Sequence, residues 1–167
     1  IPVLVDIDEE RLDAVSQELG RGGRPYLSER ADVTSDDEVS QLAERVTRRY
    51  PIIWGLVNNV AANPPMSGGD KVSSLDSTTM ESWNSDIALG LTSAWLCGRA
   101  FGSLMARCGG GSIVNIASDL ALIAPDQRIY RQDGDPDPAP KKPASYSATK
   151  GGLRLLSRYF ASYWAPF

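Results

Sequence analysis

Short apolar runs alternate with stretches of helical periodicity along most of the chain, and this alternation is the strongest constraint on its fold. The predicted strands lie at residues 1–6, 25–32, 52–58 and 112–117, of which the second is weakened by Glu29 and Arg30. Helical spacing predicts four helices, at about residues 8–20, 35–50, 79–108 and 144–164. Strand-then-helix units with apolar strands predict an α/β fold, in which helices cover both faces of a doubly wound parallel sheet.

Capping signals support two of the helices. Asp8 stands where a side-chain oxygen can accept from the first free amides of a helix, and Ser35 followed by Glu38 predicts a capping box. A doubly wound sheet binds its ligand beyond the carboxyl ends of its strands. Functional side chains are therefore expected at strand ends.

The amino-acid composition limits which kinds of ligand and partner the chain is expected to bind. The 167 residues carry a net charge of -4, which argues against nucleic acid and leaves a small molecule as the expected partner. The chain has no histidine and two cysteines, Cys97 and Cys108, so we expect no metal site and no disulfide framework. Without a leader or an apolar stretch long enough to span a bilayer, the expected location is the cytoplasm.

The two ends of the sequence suggest an incomplete domain. The chain opens directly into an apolar strand, and it stops at Phe167 just as a helix finishes. We therefore expect residues 1–167 to form most of a single domain that is truncated at both ends.

Asp6 is the first candidate site residue, because it ends the first strand. An acidic side chain at this place in a dinucleotide fold accepts hydrogen bonds from ribose hydroxyls. A carboxylate would repel the extra phosphate of NADP, and Ile7 and Asp8 supply no arginine, so Asp6 favours NAD. The alternative is an ordinary polar residue at a strand-to-helix turn.

Tyr146 and Lys150 are four residues apart, so they share one face of the last predicted helix. A free phenol is a poor base at neutral pH, and a neighbouring ammonium stabilises its ionised form, which suits proton transfer to or from an alcohol oxygen. Ser118 follows the fourth strand, where its hydroxyl could meet a substrate carbonyl. The alternatives are a solvated pair on a helix and a turn serine.

Five segments form a recognisable set in this order, namely residues 3–6, Asp32 to Thr34, Leu56 to Asn59, Gly111 to Ser118 and Tyr146 to Gly152. In combination they resemble the short-chain dehydrogenases/reductases, a Rossmann-like family. The resemblance implies that Ser118 orients the substrate oxygen, that Tyr146 is the acid/base, and that Lys150 binds the nicotinamide ribose and supports the phenolate.

The same resemblance implies further cofactor contacts and a dimer or tetramer. Asp32 and Val33 would border the adenine, while Asn58 would stabilise the central strand and pass beside the cofactor. The long predicted helix and the last helix would build a homodimer or homotetramer. Leu91, Ala94, Trp95 and Phe101 supply the apolar surface expected for that contact.

The sequence departs from the family pattern in three places. The glycine-rich turn expected before residue 1 and the substrate region expected after residue 167 are missing. Gly90 stands where the family has a catalytic Asn, which suggests a kink or the close approach of another backbone. An insertion at residues 128–142 is either a functional segment bordering the site or a solvated loop. Together with the Ala-Pro-Asp-Gln stretch at residues 124–127, this arrangement resembles a bacterial subset of the family that is associated with surface-glycan sugars.

The resemblance implies an NAD(P)-dependent oxidoreductase that interconverts a secondary alcohol and a ketone on a polar small molecule, with NAD preferred. Two alternatives stay open at this point. One is a 3-oxoacyl thioester reductase, which the same three residues could serve. The other is a catalytically silent binding or oligomer-forming subunit, which Gly90 and the missing ends suggest.

Overall fold

The computed structural model describes residues 1–61, 75–130 and 141–165. These residues belong to two compact units. The first unit contains residues 1–56 and 96–112, and the second contains the described residues among 57–95 and 113–165. Residues 62–74, between the predicted strand at 52–58 and the predicted helix at 79–108, and most of the insertion at residues 128–142 lie outside the described residues.

The first unit opens with two strand-helix pairs. They are β1 Val3–Asp6, α1 Glu9–Arg21, β2 Leu27–Arg30 and α2 Asp36–Arg49. The two strands run parallel, with Val3 opposite Leu27 and Asp6 opposite Arg30. Both are shorter than the apolar runs that predicted them, because the register pairs only four residues of each run. Asp8 caps α1 as predicted, by accepting a hydrogen bond from the Arg11 amide at 3.2 Å.

Helix α2 supplies much of the core of this unit. Val39, Leu42 and Val46 recur at helical spacing and are almost completely buried. Ser35 caps the helix by accepting from the Glu38 amide at 3.3 Å. The reciprocal half of the predicted capping box is wrong, since the Glu38 carboxylate accepts from the Asp32 amide at 2.9 Å instead.

Two further strands, β3 Gly55–Asn58 and β4 Ser112–Asn115, pair with each other. The Ser112 amide donates to the Trp54 carbonyl and the Ile116 amide to the Asn58 carbonyl, both at 3.0 Å. The bonds lie four residues apart on both strands, which makes the pair parallel. The sequence predicted that both faces of these strands are buried. Among the described residues, exposed and partly buried side chains alternate along both strands instead, and Val57 is 62% exposed.

The long predicted helix is divided by a π-helical turn. Helix α3 spans Met80–Ile87, the π turn spans Ala88–Thr92, and α4 spans Ser93–Arg107. Thr79 caps α3 by accepting from the Ser82 amide at 3.1 Å. After α4 the chain turns through Gly109 and Gly110, whose positive φ angles suit glycine and end the helix where the sequence predicted.

Helix α5, Ala144–Tyr163, dominates the second unit. It packs against α3, against the π turn, and against a short 3-10 turn at Asp119–Ala121. Among residues 1–61, 75–130 and 141–165, no helix combines the length and the apolar character needed to cross a membrane. In the same residues no three His, Cys, Asp or Glu side chains gather into a group that could hold a metal ion.

Candidate active site

The first two turns of α5 place Tyr146 beside a buried cation. Lys150 is 4% exposed, and its ammonium nitrogen lies 5.8 Å from the centroid of the Tyr146 ring. The ammonium donates a hydrogen bond of 2.6 Å to the backbone carbonyl of Ile116, just beyond β4. Burial lowers the pKa of Lys150, because apolar surroundings disfavour the charged form. A phenol next to such an ammonium is suited to exchange a proton.

Ser118 lies at the end of the segment that follows β4. Its hydroxyl donates to the Asp119 carboxylate at 2.8 Å and accepts from the Leu120 amide at 3.2 Å, so Ser118 caps the 3-10 turn at Asp119–Ala121. Helix α5 packs against this turn. Ser118 thus caps a turn that contacts the helix of Tyr146, and its predicted contact with a substrate oxygen stays a prediction.

Lys142 is a second cation at Tyr146, and it was not among the residues predicted from sequence. Its ammonium nitrogen lies 3.9 Å from the centroid of the Tyr146 ring. Burial lowers the pKa of Lys142, and repulsion from Lys150 lowers it further. The available signal was its position four residues before Tyr146, but Pro143 separates Lys142 from the helix, so helical spacing could not be applied.

Ser145 connects the start of α5 to the end of α3. Its hydroxyl donates to the carboxylate of Asp86, and the side chain of Ser145 is almost completely buried. Because Ser145 directly precedes Tyr146, this bond fixes the backbone that carries the phenol. Sequence reasoning missed the pair, since fifty-nine residues separate its members.

Asn58 joins several elements of the second unit. Its side-chain amide donates to the Asn115 side-chain oxygen at 2.7 Å and to the Ala94 carbonyl at 3.5 Å. The Asn115 amide in turn donates to the Ser157 hydroxyl at 2.8 Å, and that hydroxyl donates to the Leu153 carbonyl. The chain of bonds links β3, β4 and α5. It fits the stabilising role that the resemblance implied for Asn58, while contact with a cofactor stays a prediction.

Gly90 lies in the π turn and faces Thr149 of α5. A Cβ atom at Gly90 would lie 2.9 Å from the Cβ and Cγ2 atoms of Thr149, which is closer than packed carbons approach. A kink or a close backbone approach was predicted, and the structure shows a π turn with the close approach of a side chain. The Asn that the family pattern has at this position would not fit against Thr149.

Asp6 belongs to the first unit, and its carboxylate accepts from the Asp8 amide at 3.0 Å. Arg30 stands opposite Asp6 on β2, with its Nε atom 3.6 Å from the Glu9 carboxylate. The adjacent sequence offered no arginine, but pairing of the strands brings one to the neighbouring position. In that position the Arg30 guanidinium lies against the Glu9 carboxylate, which offsets its charge.

Asp32 and Val33 also belong to the first unit, in the turn between β2 and α2. The Asp32 carboxylate accepts from the Thr34 amide at 2.8 Å and from the Thr34 hydroxyl at 2.7 Å, and Val33 is partly exposed. The turn is thus held by its own side chains. The predicted contact of these two residues with an adenine stays a prediction.

A sequence profile described as short chain dehydrogenase matches residues 2–130, which is more than half of the chain. The chain belongs to the short-chain dehydrogenase family. The matched stretch includes Ser118 and ends before Tyr146 and Lys150. A solved structure of an NAD+-bound xylitol dehydrogenase aligns with a TM-score of 0.80 at 22% identity, over 98% of this chain and 55% of that one. The similarity confirms the predicted Rossmann-like α/β fold.

Three curated relatives of this short-chain dehydrogenase differ in the activities that their names give. D-threitol dehydrogenase of Mycolicibacterium smegmatis is 27% identical over 96% of this chain and 53% of its own length. NAD-dependent glycerol dehydrogenase of Listeria innocua is 25% identical over 99% and 55%. A 3-oxoacyl-[acyl-carrier-protein] reductase of Synechocystis is 30% identical over 84% and 48%. The chain spans about half the length of these relatives, and the predicted surface-glycan subset gains no support from them.

Proposed function

We propose that this short-chain dehydrogenase is an NAD(P)-dependent oxidoreductase that interconverts a secondary alcohol and a ketone on a polar small molecule. One observation carries the proposal, namely the buried ammonium of Lys150 beside the Tyr146 phenol in the first turns of α5. A buried cation costs folding free energy, so its retention next to an acid/base side chain suggests a functional reason.

Proton transfer is the step assigned to this chain. In alcohol oxidation the Tyr146 phenolate accepts the hydroxyl proton while the carbon bearing that hydroxyl loses a hydride, which leaves a ketone and a neutral phenol. A bound nicotinamide dinucleotide supplies the hydride acceptor. Lys150 stabilises the phenolate, and the Ser118 hydroxyl holds the reacting oxygen. In ketone reduction the same proton returns to the oxygen.

The side chains available for the cofactor suit the hydroxyl groups of a dinucleotide. The Lys150 ammonium can donate to a ribose hydroxyl, the Asp6 carboxylate can accept from one, and Asp32 and Val33 would border the adenine. A carboxylate at Asp6 disfavours a 2′-phosphate, so NAD is proposed as the preferred cofactor over NADP. Arg30 stands opposite Asp6 on β2, but its guanidinium lies against Glu9, so the proposed preference rests on Asp6.

A polar, polyol-like substrate is favoured by two of the relatives, whose names give threitol and glycerol as substrates. The second candidate activity is reduction of a 3-oxoacyl thioester, which the Synechocystis relative favours. A catalytically silent subunit is a further alternative, for which packing against Thr149 offers a structural reason for Gly90 that does not depend on catalysis.

A homodimer or homotetramer is proposed as well, on a smaller surface than the sequence indicated. Of the four apolar residues expected there, Ala94 and Phe101 are buried in the chain itself, whereas Trp95 is 43% exposed. Sedimentation at micromolar concentration tests the assembly, and a monomer would contradict it.

The deciding experiment replaces Tyr146 by Phe in the complete natural polypeptide. Loss of the hydroxyl removes the acid/base, so turnover of a polyol panel should fall by about 10²–10⁴-fold while cofactor binding stays nearly unchanged. Tyr159→Phe is the matched control, since Tyr159 lies on the same helix and is exposed. Lys150→Ala should damage both turnover and binding, and Lys150→Arg should restore them only in part.

Fluorescence titration of each variant with NADH and NADPH measures the cofactor preference in the same samples. A 3-oxoacyl thioester in the panel separates the two candidate activities. Turnover of any substrate near the parental rate by Tyr146→Phe would show that Tyr146 is not the acid/base. Tighter binding of NADPH than of NADH would remove the role given to Asp6.

A further inference from the structure

Asn115, the last residue of β4, and Ile116, which follows it, both bind helix α5. The Asn115 side-chain amide donates to the Ser157 hydroxyl at 2.8 Å, and the Ile116 carbonyl accepts from the Lys150 ammonium at 2.6 Å. Lys150 and Ser157 are two turns apart on α5, so they lie on one line along the helix, about 10 Å from each other. The end of β4 therefore contacts one face of α5 at two points.

The groups that form the first contact are fixed in direction. The Ser157 hydroxyl donates to the Leu153 carbonyl at 2.8 Å, which leaves its oxygen lone pairs to accept from Asn115. The Asn115 side-chain oxygen accepts from the Asn58 side-chain amide at 2.7 Å. Because both ends of the Asn115 amide are bonded, its nitrogen is held toward α5 and its oxygen toward β3.

Asn58 also holds the second contact. The Ile116 backbone amide donates to the Asn58 carbonyl at 3.0 Å. One residue of β3 thus binds the side chain of Asn115 through its own side chain and the backbone of Ile116 through its own backbone. The amide that binds Ser157 and the carbonyl that accepts from Lys150 are therefore positioned together.

Two other contacts hold the beginning of α5. The Ser145 hydroxyl donates to the Asp86 carboxylate. The Gln127 side chain accepts from the Lys142 amide at 2.8 Å and donates to the Lys142 carbonyl at 3.2 Å. These bonds fix the place where the helix starts. The rotation of the helix about its axis, which decides where Lys150 points, is fixed by contacts farther along.

An amide at position 115 is a costly way to pack β4 against α5. Asn115 is partly buried, and its polar atoms need partners to offset the loss of water. Apolar contacts have no preferred direction, so they let a helix slide and rotate, whereas hydrogen bonds depend on angle. The amide is therefore better explained by the orientation that it gives α5 than by stability.

We propose that Asn115 is a positioning residue of this site, which acts through Ser157 and Ile116 to aim the Lys150 ammonium at the nicotinamide ribose. The proposal rests on the proposed function, because Lys150 is the residue that would touch the cofactor. An ammonium has three donors, so the bond to Ile116 leaves two for ribose hydroxyls, in directions that the first bond sets. In this role Asn115 itself touches neither the cofactor nor the reacting oxygen.

The test measures NADH affinity by fluorescence titration in the complete natural polypeptide and in Asn115→Leu, which keeps a similar side-chain volume and removes the amide. Affinity should fall about tenfold, because a misdirected ammonium loses part of its hydrogen bond to the ribose. In turnover assays kcat should fall while the KM for the alcohol changes little. Ser157→Ala should act in the same direction, and Ser157→Thr, which keeps the hydroxyl, should resemble the parent.

Ser93→Ala is the matched control. The buried Ser93 hydroxyl also donates to the carbonyl four residues earlier in its helix, that of Leu89, at 2.6 Å. Loss of this bond should lower the free energy of unfolding about as much as Ser157→Ala does, and it should leave NADH affinity unchanged. The comparison separates an effect on the cofactor from a general loss of stability.

A double variant separates positioning of Lys150 from support of the fold. In a Lys150→Met background, Asn115→Leu should weaken NADH binding no further, because its effect passes through the ammonium. An equal loss of affinity with and without Lys150 would show that Asn115 supports the fold in general, and it would overturn the proposal.

A further readout needs no cofactor. In NMR spectra of isotope-labelled lysine ammonium groups, the buried Lys150 ammonium should exchange its protons slowly, because it donates to the Ile116 carbonyl. The signal is assigned by its absence in Lys150→Arg. In Asn115→Leu these protons should exchange faster with solvent. Should Asn115→Leu fail to fold, Ser157→Ala provides both measurements.

The outcomes distinguish this inference from the proposed function. If Lys150→Met weakens NADH binding while Asn115→Leu and Ser157→Ala bind as tightly as the parent, the role of Asn115 is refuted and that of Lys150 stands. If Lys150→Met binds NADH as tightly as the parent, the cofactor contact in the proposed function fails, and the role of Asn115 fails with it.

Discussion

Replacement of Gly90 by alanine should separate the π turn from α5. The added Cβ atom would lie 2.9 Å from both the Cβ and the Cγ2 of Thr149 and 3.1 Å from its Oγ1. Thr149 Cβ is bonded directly to the α5 backbone and cannot rotate away, and the residue is buried. The contact can therefore be relieved only by a shift of the helix. Because Thr149 precedes Lys150, that shift also reaches the candidate catalytic residues.

The expected size follows from two opposing effects. Overpacking of a buried contact costs about 1–3 kcal/mol, and a clash between fixed atoms belongs near the upper end of that range. Alanine in place of a glycine within a helix stabilises the folded state by about 1 kcal/mol. The free energy of unfolding should therefore fall by about 2 kcal/mol in Gly90→Ala. Gly90→Asn, which restores the residue of the family pattern, should cost more because its side chain is larger.

Two other glycines provide controls for urea unfolding of the complete natural polypeptide. A Cβ atom at Gly151 meets nothing within 4 Å, so Gly151→Ala should stabilise α5 by about 0.5–1 kcal/mol. A Cβ atom at Gly152 meets only the flexible end of Leu91, so Gly152→Ala should be nearly neutral. The double variant Gly90→Ala/Thr149→Ala lacks the Cγ2 and Oγ1 atoms of Thr149, two of the three atoms in the clash. It should therefore recover part of the free energy of unfolding that Gly90→Ala loses. Equal stability of Gly90→Ala and Gly151→Ala would refute the close approach.

Two further predictions concern the thiols and the buried cation. Burial raises the pKa of the Cys97 thiol to about 11 while Cys108 is exposed, so a thiol reagent at neutral pH should modify Cys108 alone until the protein is denatured. Mass spectrometry checks this, and labelling of native Cys97 would contradict it. Burial lowers the pKa of the Lys150 ammonium from 10.5, so the unfolded chain holds the ammonium proton more tightly than the folded chain does. The free energy of unfolding should therefore rise with pH between the lowered pKa of the folded state and 10.5. Lys150→Met should lack this component, and parallel pH profiles of parent and variant would show that burial does not penalise the ammonium.

The order and type of the elements could be predicted because their signals are local. Apolar spacing along α2 and the caps at Asp8 and Ser35 depend on residues a few positions apart, and the structure shows them. The strand limits could not be predicted, since pairing with a neighbour decides them. The π turn depends on a contact between Gly90 and Thr149, which no local pattern contains.

In the candidate site, too, relations between residues close in sequence could be predicted, whereas contacts that depend on strand register or tertiary structure could not. The relation between Tyr146 and Lys150 follows from helical geometry, and the sequence was sufficient to predict it. Arg30 comes to stand opposite Asp6 only through the register of two strands. Lys142 reaches the Tyr146 ring from outside the helix, so its place depends on tertiary structure.

The two hydrogen bonds between Gln127 and Lys142 also bear on how this protein could diversify. They hold the backbone of Lys142 against Gln127, fifteen residues earlier in the chain, so the approach to α5 is fixed two residues before the helix begins. Gln127 and Lys142 are therefore natural anchor points for an engineer who exchanges residues between them, and the start of α5 should stay in place as long as both are kept.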